Sequence, residues 1–283
     1  MTLSFTRPEA FATPPEAIVF DTDNNLYAYD PAHAEATEAA ERKACKLFGL
    51  SRKEFHDAFT VARREVKDRL GKTAGSHSRL LYFQRTIELL GMKTQLLATL
   101  DIEQTYWRTF LHASTLFPDV KEFLLDLRSL GIKTAIVTDL TAQIQFRKII
   151  YFGLDDYFDY VVTSEEAGHD KPHAAPFQLA VDKLGVPPQR CWMIGDNPVA
   201  DVQGGRAFGM ITLQKRHAGV KIAEGDQAAD AVFDEFGELR RLFVQRGWMK
   251  PVPDGTPHGL PETPIMQTGG RSQLADAERL PHS

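Results

Sequence analysis

The sequence predicts an α/β protein: a doubly wound parallel sheet, with a helical cap domain inserted after its first strand. Three observations lead there. Short apolar runs stop abruptly at turn residues, as buried strands do. Helical patterns separate those runs, the rhythm of parallel strands with helices on both faces. One interval, 31–114, breaks the rhythm with helical patterns alone.

The first run, Ala17–Phe20, ends in Asp-Thr-Asp-Asn-Asn. Similar runs are Lys133–Val137 (before Thr138-Asp139), Tyr160–Val162, Cys191–Ile194 (before Gly195-Asp196-Asn197) and Ile211–Leu213. Between them, Asp119–Leu130 places Val120, Phe123, Leu124 and Leu127 on one face and stops at Gly131. Thr141–Phe152, Ala175–Leu184 and Val199–Phe208 read as helices too. In the inserted interval, Pro31–Phe48 ends at Gly49, and Arg79–Leu90 spaces Leu80, Phe83, Ile87 and Leu90 by threes and fours. Lys93–His112 is also helical. An interval this long is too much for a loop. The expected division is therefore a core over 15–30 and 115–248, a cap over 31–114, and a Pro-rich, disordered tail over 249–283.

Composition narrows the function. The 283 residues are 43% hydrophobic and 25% charged, which suits a soluble globular protein. A net charge of −5 argues against a nucleic-acid polymer as partner but leaves room for a small anionic substrate. No apolar run is long enough to span a membrane. The opening residues lack the apolar core of a secretory signal, so a cytoplasmic location is expected. Cys45 and Cys191 cannot make a disulfide framework and read as buried thiols.

In a doubly wound sheet, ligands bind beyond the carboxyl ends of the strands. The residues there are Asp21 and Asp23, Thr138, Lys171, and Asp196 with Asp201. Any one could be a turn or cap residue; together at strand ends they suggest a site. Asp21 and Asp23, two apart, project to the same side of an extended segment. Two close carboxyls cannot both ionise cheaply unless a cation intervenes. The pair suits phosphoryl transfer, one acid attacking phosphorus and its neighbour protonating the leaving oxygen. Asp196 adds a third carboxylate to an oxygen-ligand set of the kind Mg²⁺ prefers. Lys171 and Thr138 supply a cation and a hydroxyl for the phosphoryl oxygens.

Gly71-Lys72-Thr73 is not a nucleotide loop, because Val66 stands where the first glycine is required. Two readings of the segment from Gly71 to Arg79 stay open: a solvated turn with Ser76 or Ser78 capping the next helix, or a loop whose Ser76, His77 and Arg79 meet the non-phosphate part of a substrate. His169 and His173 read as surface histidines, and Arg63–Arg69 as the solvated face of a helix. Tyr106 and Trp107 read as cap core or as the seam between cap and core.

Four segments resemble the haloacid dehalogenase-like hydrolase superfamily: FDTDNNLY (Phe20–Tyr27), IVTD (Ile136–Asp139), EEAGHDKPHAAPF (Glu165–Phe177) and MIGDNPVADVQGGRAFGM (Met193–Met210). The resemblance implies Asp21 as nucleophile and metal ligand, and Asp23 as general acid/base with its carbonyl on the metal. It implies Asp196 as the second carboxylate ligand, Asn197 and Asp201 as outer supports, and Thr138 and Lys171 as phosphate-binding groups. The inserted helices are similar to the cap of phosphoglycolate phosphatases, nucleotidases and N-acylneuraminate-9-phosphatase. Asn25 stands where the family usually has Thr. Asp23 separates this chain from the dehalogenases, which lack an acid there. A Mg²⁺-dependent phosphomonoesterase acting on a nucleoside monophosphate or sugar phosphate is expected, with a phosphomutase or a non-catalytic binding member as alternatives.

Overall fold

The computed structural model describes residues 3–251. The tail expected over 249–283 lies outside the described residues from 252 onward. Strands β1 (Ser4–Phe5) and β2 (Ala17–Phe20) precede four helices, α1 (Tyr29–Phe48), α2 (Arg52–Leu70), α3 (Arg79–Leu89) and α4 (Leu96–Ala113). Then come α5 (Val120–Ser129), β3 (Lys133–Thr138), α6 (Ala142–Tyr151), β4 (Tyr160–Thr163), α7 (Ser164–Ala167), α8 (Ala174–Leu184) and β5 (Cys191–Gly195). A π turn at Pro198–Gln203 runs into α9 (Gly204–Ala207), followed by β6 (Ile211–Lys215), β7 (Ala231–Phe233) and α10 (Phe236–Gln245).

The expected doubly wound sheet is present. Its order among the described residues is β1-β7-β6-β5-β2-β3-β4. The five strands legible in the sequence, β2 to β6, are parallel neighbours. Two further strands extend that set at one edge: β7 parallel to β6, and the two-residue β1 antiparallel to β7. Neither is long enough to carry a period.

Alternation along the strands explains the layers. In β2, Ile18 and Phe20 join one apolar cluster with Trp192, Ile194, Phe123 of α5 and Phe243 of α10. Ala17 and Val19 face the other way, into a cluster with Cys191, Met193 and Phe177 of α8. Both faces are buried, as parallel sheets require. The Cys191 thiol lies at the core of the second cluster, and burial pushes its pKa up to about 12.

Topology then positions the chemistry. The chain leaves β2 to build β3 and β4 on one side and returns to place β5 and β6 on the other. The carboxyl end of β2 is thus the switch point of the sheet, where a crevice opens between neighbouring connections.

Helices α1 to α4 share the larger apolar cluster with the sheet, through residues such as Ala36, Phe83 and Ile102. Helix α1 buries Ala32, Ala36, Ala40 and Ala44, a stripe at four-residue spacing. It lies along α4, which buries Ile102, Tyr106 and Phe110. Small side chains on one helix admit large ones from the other. Ser51 opens α2 with a reciprocal capping box to Glu54, and Gly49 at φ 67° ends α1 in the left-handed conformation. Among the described residues, no helix is long and apolar enough to cross a membrane.

Because Ala40 is fully buried at this contact, Ala40→Leu should overpack it and cost about 1–3 kcal/mol of stability. Urea unfolding followed by circular dichroism would read this as a lower midpoint with an unchanged slope. An unchanged midpoint would mean that the two helices are not closely packed.

Candidate active site

The strand ends deliver their polar residues into one cavity of about 270 Å³. Asp21, Asp23, Thr138, Lys171, Asp196, His77 and Arg79 all line it, so these expected site residues reach the same space. Ser76 does not line it; that residue is buried, and its carbonyl accepts from the Tyr82 hydroxyl. Ser78 caps α3 by accepting from the Leu81 N–H at 3.3 Å. The segment from Gly71 to Arg79 thus supplies a helix cap and two cavity-lining side chains.

Lys171 lies at the centre. Its ammonium donates to Asp21 Oδ1 at 2.6 Å, Asp201 Oδ1 at 2.6 Å and the Val137 carbonyl at 2.9 Å, which uses all three protons. Its backbone N–H donates to Asp139 Oδ1 at 2.9 Å. The two buried carboxylates hold the Lys171 ammonium well above its ordinary pKa against the opposing effect of burial. Burial pushes the Asp21 carboxyl well up, Lys171 opposes this, and the neighbouring acids Asp201, Asp196 and Asp23 add to the rise.

Asp201 reaches Lys171 from the π turn, whose wider winding begins at Pro198 where a plain α-helix was expected. Its other oxygen accepts from the Asn197 N–H at 2.9 Å. A side chain at Gly195 would overlap the Asp201 carboxylate, which explains glycine at the end of β5. Asn197 caps the turn by accepting from the Val199 and Ala200 N–H groups, both at 2.9 Å.

Asn25, the residue that departs from the family pattern, is fully buried. Its amide donates to the Asp21 carbonyl at 2.9 Å and the Ile194 carbonyl at 3.2 Å, tying the ends of β2 and β5 together. Asn24, at φ 58°, accepts from the Tyr29 N–H at 2.9 Å and so fixes the start of α1. Thr138 accepts from Gln145 at 2.8 Å and shares a 2.9 Å hydrogen bond with Thr22.

Asp23 meets Lys148, which donates to both its oxygens at 2.9 and 3.3 Å, and it also accepts from the Tyr27 hydroxyl. These partners outweigh its burial and lower its pKa. The Lys148 ammonium is enclosed by the rings of Tyr27, Tyr29, Trp107 and Phe110. Lys148 was not among the residues singled out in the sequence. A signal exists: the buried positions of α6 are Ile144, Gln145, Lys148 and Ile149, so two polar residues share the apolar face. Two more lining residues, Arg63 and Lys67, correct an expectation. The run Arg63–Arg69 is helical but not simply solvated, because one face of α2 turns these two into the cavity.

The carboxylates fit a cation. Oxygens of Asp21, Asp196 and Asp201 lie within 4.8 Å of one another. The Asp196 side chain accepts no hydrogen bond from another described residue, and burial followed by the charge of Asp201 pushes its pKa up to about 7. Three crowded oxygen donors, one lacking a protein donor, suit a hard divalent ion. The Asp23 carboxylate is not in this group, since it turns to Lys148; its carbonyl is the only part left to serve a metal, as the resemblance implies. His169 and His173 stack on each other at 4.0 Å between ring centres and stand exposed, outside the acidic group.

A divalent ion needs Asp196 ionised. Above about pH 7 it binds without displacing a proton, and below that it must expel one. The rise in melting temperature on adding Mg²⁺ should therefore be larger at about pH 8 than at about pH 5.5. Equal rises at both would contradict the placement of Asp196 among the ligands.

A family model for haloacid dehalogenase-like hydrolases matches residues 15–209. The chain is 36% identical over 234 residues to a ribulose-1,5-bisphosphate 5-phosphatase of Halopiger xanaduensis, covering 80% of this chain and 98% of that one. It is 28% identical over 228 residues to a glyceraldehyde 3-phosphate phosphatase of Methanocaldococcus jannaschii, covering 79% and 95%. Among solved structures, a HAD phosphatase from Thermococcus onnurineus superposes with a TM-score of 0.60 at 26% identity, covering 80% of this chain and 97% of that one. The match over 15–209 takes in the first three segments whole and the fourth up to Gly209, and the chain belongs to the haloacid dehalogenase-like hydrolase family.

Proposed function

We propose that this protein is a Mg²⁺-dependent phosphomonoesterase that works through an aspartyl-phosphate on Asp21. One observation carries the reading: a carboxylate at the switch point of the sheet, held by Lys171, beside Asp196 and Asp201, with a second acid two residues on. The similarity to two phosphatases of small sugar phosphates supports it. The cavity, about 270 Å³, sits at the small end of ligand pockets and favours a sugar phosphate over a nucleoside monophosphate.

In this reading Asp21 Oδ attacks phosphorus, and the bond from phosphorus to the ester oxygen breaks. The leaving oxygen takes a proton from Asp23. Water then attacks the phosphorus of the aspartyl-phosphate, Asp23 takes the proton from that water, and inorganic phosphate leaves with Asp21 restored. Lys148 and Tyr27 favour the ionised form of Asp23, which the second half requires. For the first half Asp23 must gain a proton, and the negative charge of an arriving phosphate favours this. Thr138 stands beside the phosphoryl oxygens, and Lys171, its protons engaged by Asp21, Asp201 and the Val137 carbonyl, adds positive charge there. A Mg²⁺ ion held by Asp21, Asp196 and the Asp23 carbonyl would offset the repulsion between carboxylate and phosphate. The helices over 31–114 act as the cap, contributing His77 and Arg79 and limiting access of water.

Phosphate release from a panel of triose, pentose and nucleoside phosphates tests this. Release should require a divalent metal, stop with EDTA, and fall by roughly 10³-fold or more in Asp21→Asn. Folded, metal-loaded protein that releases phosphate from none of them would exclude the reading.

A further inference from the structure

The cavity holds cations that the phosphoryl site does not use. Lys171 and Lys148 are neutralised by Asp21, Asp201 and Asp23. Arg63, Lys67 and Arg79 also line the cavity, and none of the three forms an ion pair with a described residue. Every direct partner of Arg79 is neutral: the Tyr29 hydroxyl, the Tyr106 hydroxyl at 3.3 Å, the His77 carbonyl at 2.6 Å, and the ring faces of Tyr82, Tyr106 and Trp107 at 5.5–5.7 Å. The guanidinium is held in place by neutral groups, with no ion pair to a described residue.

Arg63 and Lys67 stand four residues apart on α2 and therefore share a face. Burial and the positive charges of Arg63 and Arg79 lower the Lys67 pKa. Asp170, whose charge acts on Lys67, is already engaged by His77 Nε2 at 3.1 Å. Like charges gathered on a cavity wall repel, and an anion placed among them removes that repulsion. A neutral sugar end or a nucleobase would instead desolvate these cations with no compensation.

We propose that Arg63, Lys67 and Arg79 form an anion subsite for a second phosphate, making the preferred substrate a bisphosphorylated short-chain sugar. The position of the first phosphate, on Asp21, rests on the phosphatase reading above. Three converging cations match a phosphate dianion better than a carboxylate. A lone carboxylate would be served by one guanidinium fork, leaving the other two cations uncompensated.

Binding without turnover separates this proposal from the phosphatase reading. Titration calorimetry on Asp21→Asn protein, and on wild type stripped of metal, would compare ribulose 1,5-bisphosphate, ribulose 5-phosphate and 3-phosphoglycerate. The bisphosphate should bind at least about tenfold more tightly than the monophosphate. Arg63→Gln/Lys67→Gln should erase that ratio, and Arg63→Gln alone should reduce it, both with melting temperatures close to that of the parent protein. Equal affinities, a ratio that survives the double substitution, tighter binding of 3-phosphoglycerate, or no binding at all would each overturn the subsite. Absence of phosphate release with the affinity ratio intact would instead count against the phosphatase reading alone.

Discussion

A single buried ammonium organises this site. Lys171 is held by Asp21, Asp201 and the Val137 carbonyl, groups that come from three different strand ends. Charges this deep are tolerated only when paired and fully hydrogen-bonded, and breaking such a pair costs about 3–5 kcal/mol. Much of the local architecture follows from the pair. Asp201 must reach inward, which the π turn and the bare backbone of Gly195 permit. The loop that carries Lys171 is fixed in turn by Asp139, through the Lys171 N–H. Asn25 closes the seam between β2 and β5 just beneath Asp21. Beside them, the Asp196 carboxyl takes no hydrogen bond from another described residue, and that unmet demand is the physical case for a cation.

The helices inserted after β2 complete the cavity from the opposite side. The link is short and specific: Asn24, three residues past Asp21, caps the first turn of α1, and Tyr29 in that turn takes the Arg79 guanidinium. Tyr106 of α4 holds Arg79 as well and meets His33 Nδ1 at 2.6 Å. Burial and the nearby Arg79 push the His33 pKa down to about 4, so the ring is neutral at physiological pH. An acidic, metal-suited floor therefore faces a wall whose free charges are positive. A ligand with a phosphate at one end and a further anion at the other matches that polarity along its length.

Much of this was legible in the sequence. Runs such as Ala17–Phe20 and Cys191–Gly195 stop at charged turn residues, so strand ends and site residues announce each other. What was not legible depends on three-dimensional convergence. Lys148 sits on an apolar helix face and finds its carboxylate 125 residues away. Arg63 and Lys67 look like any solvated helix face in the sequence, yet they line one cavity with the strand-end residues. The strands β1 and β7 are too short to show a period and exist because the sheet edge supplies their partners. The π turn is set by the reach of Asp201 to Lys171, a tertiary demand that a helical sequence pattern does not display.

The covalent role of Asp21 is the central claim, and acid quenching of the protein during turnover of a ³²P-labelled sugar phosphate tests it most directly. Protein-bound phosphate should be stable in acid, labile in base, confined to the peptide containing Asp21, and absent in Asp21→Asn. Turnover that proceeds with no protein-bound phosphate, or with the label on a different residue, would contradict it.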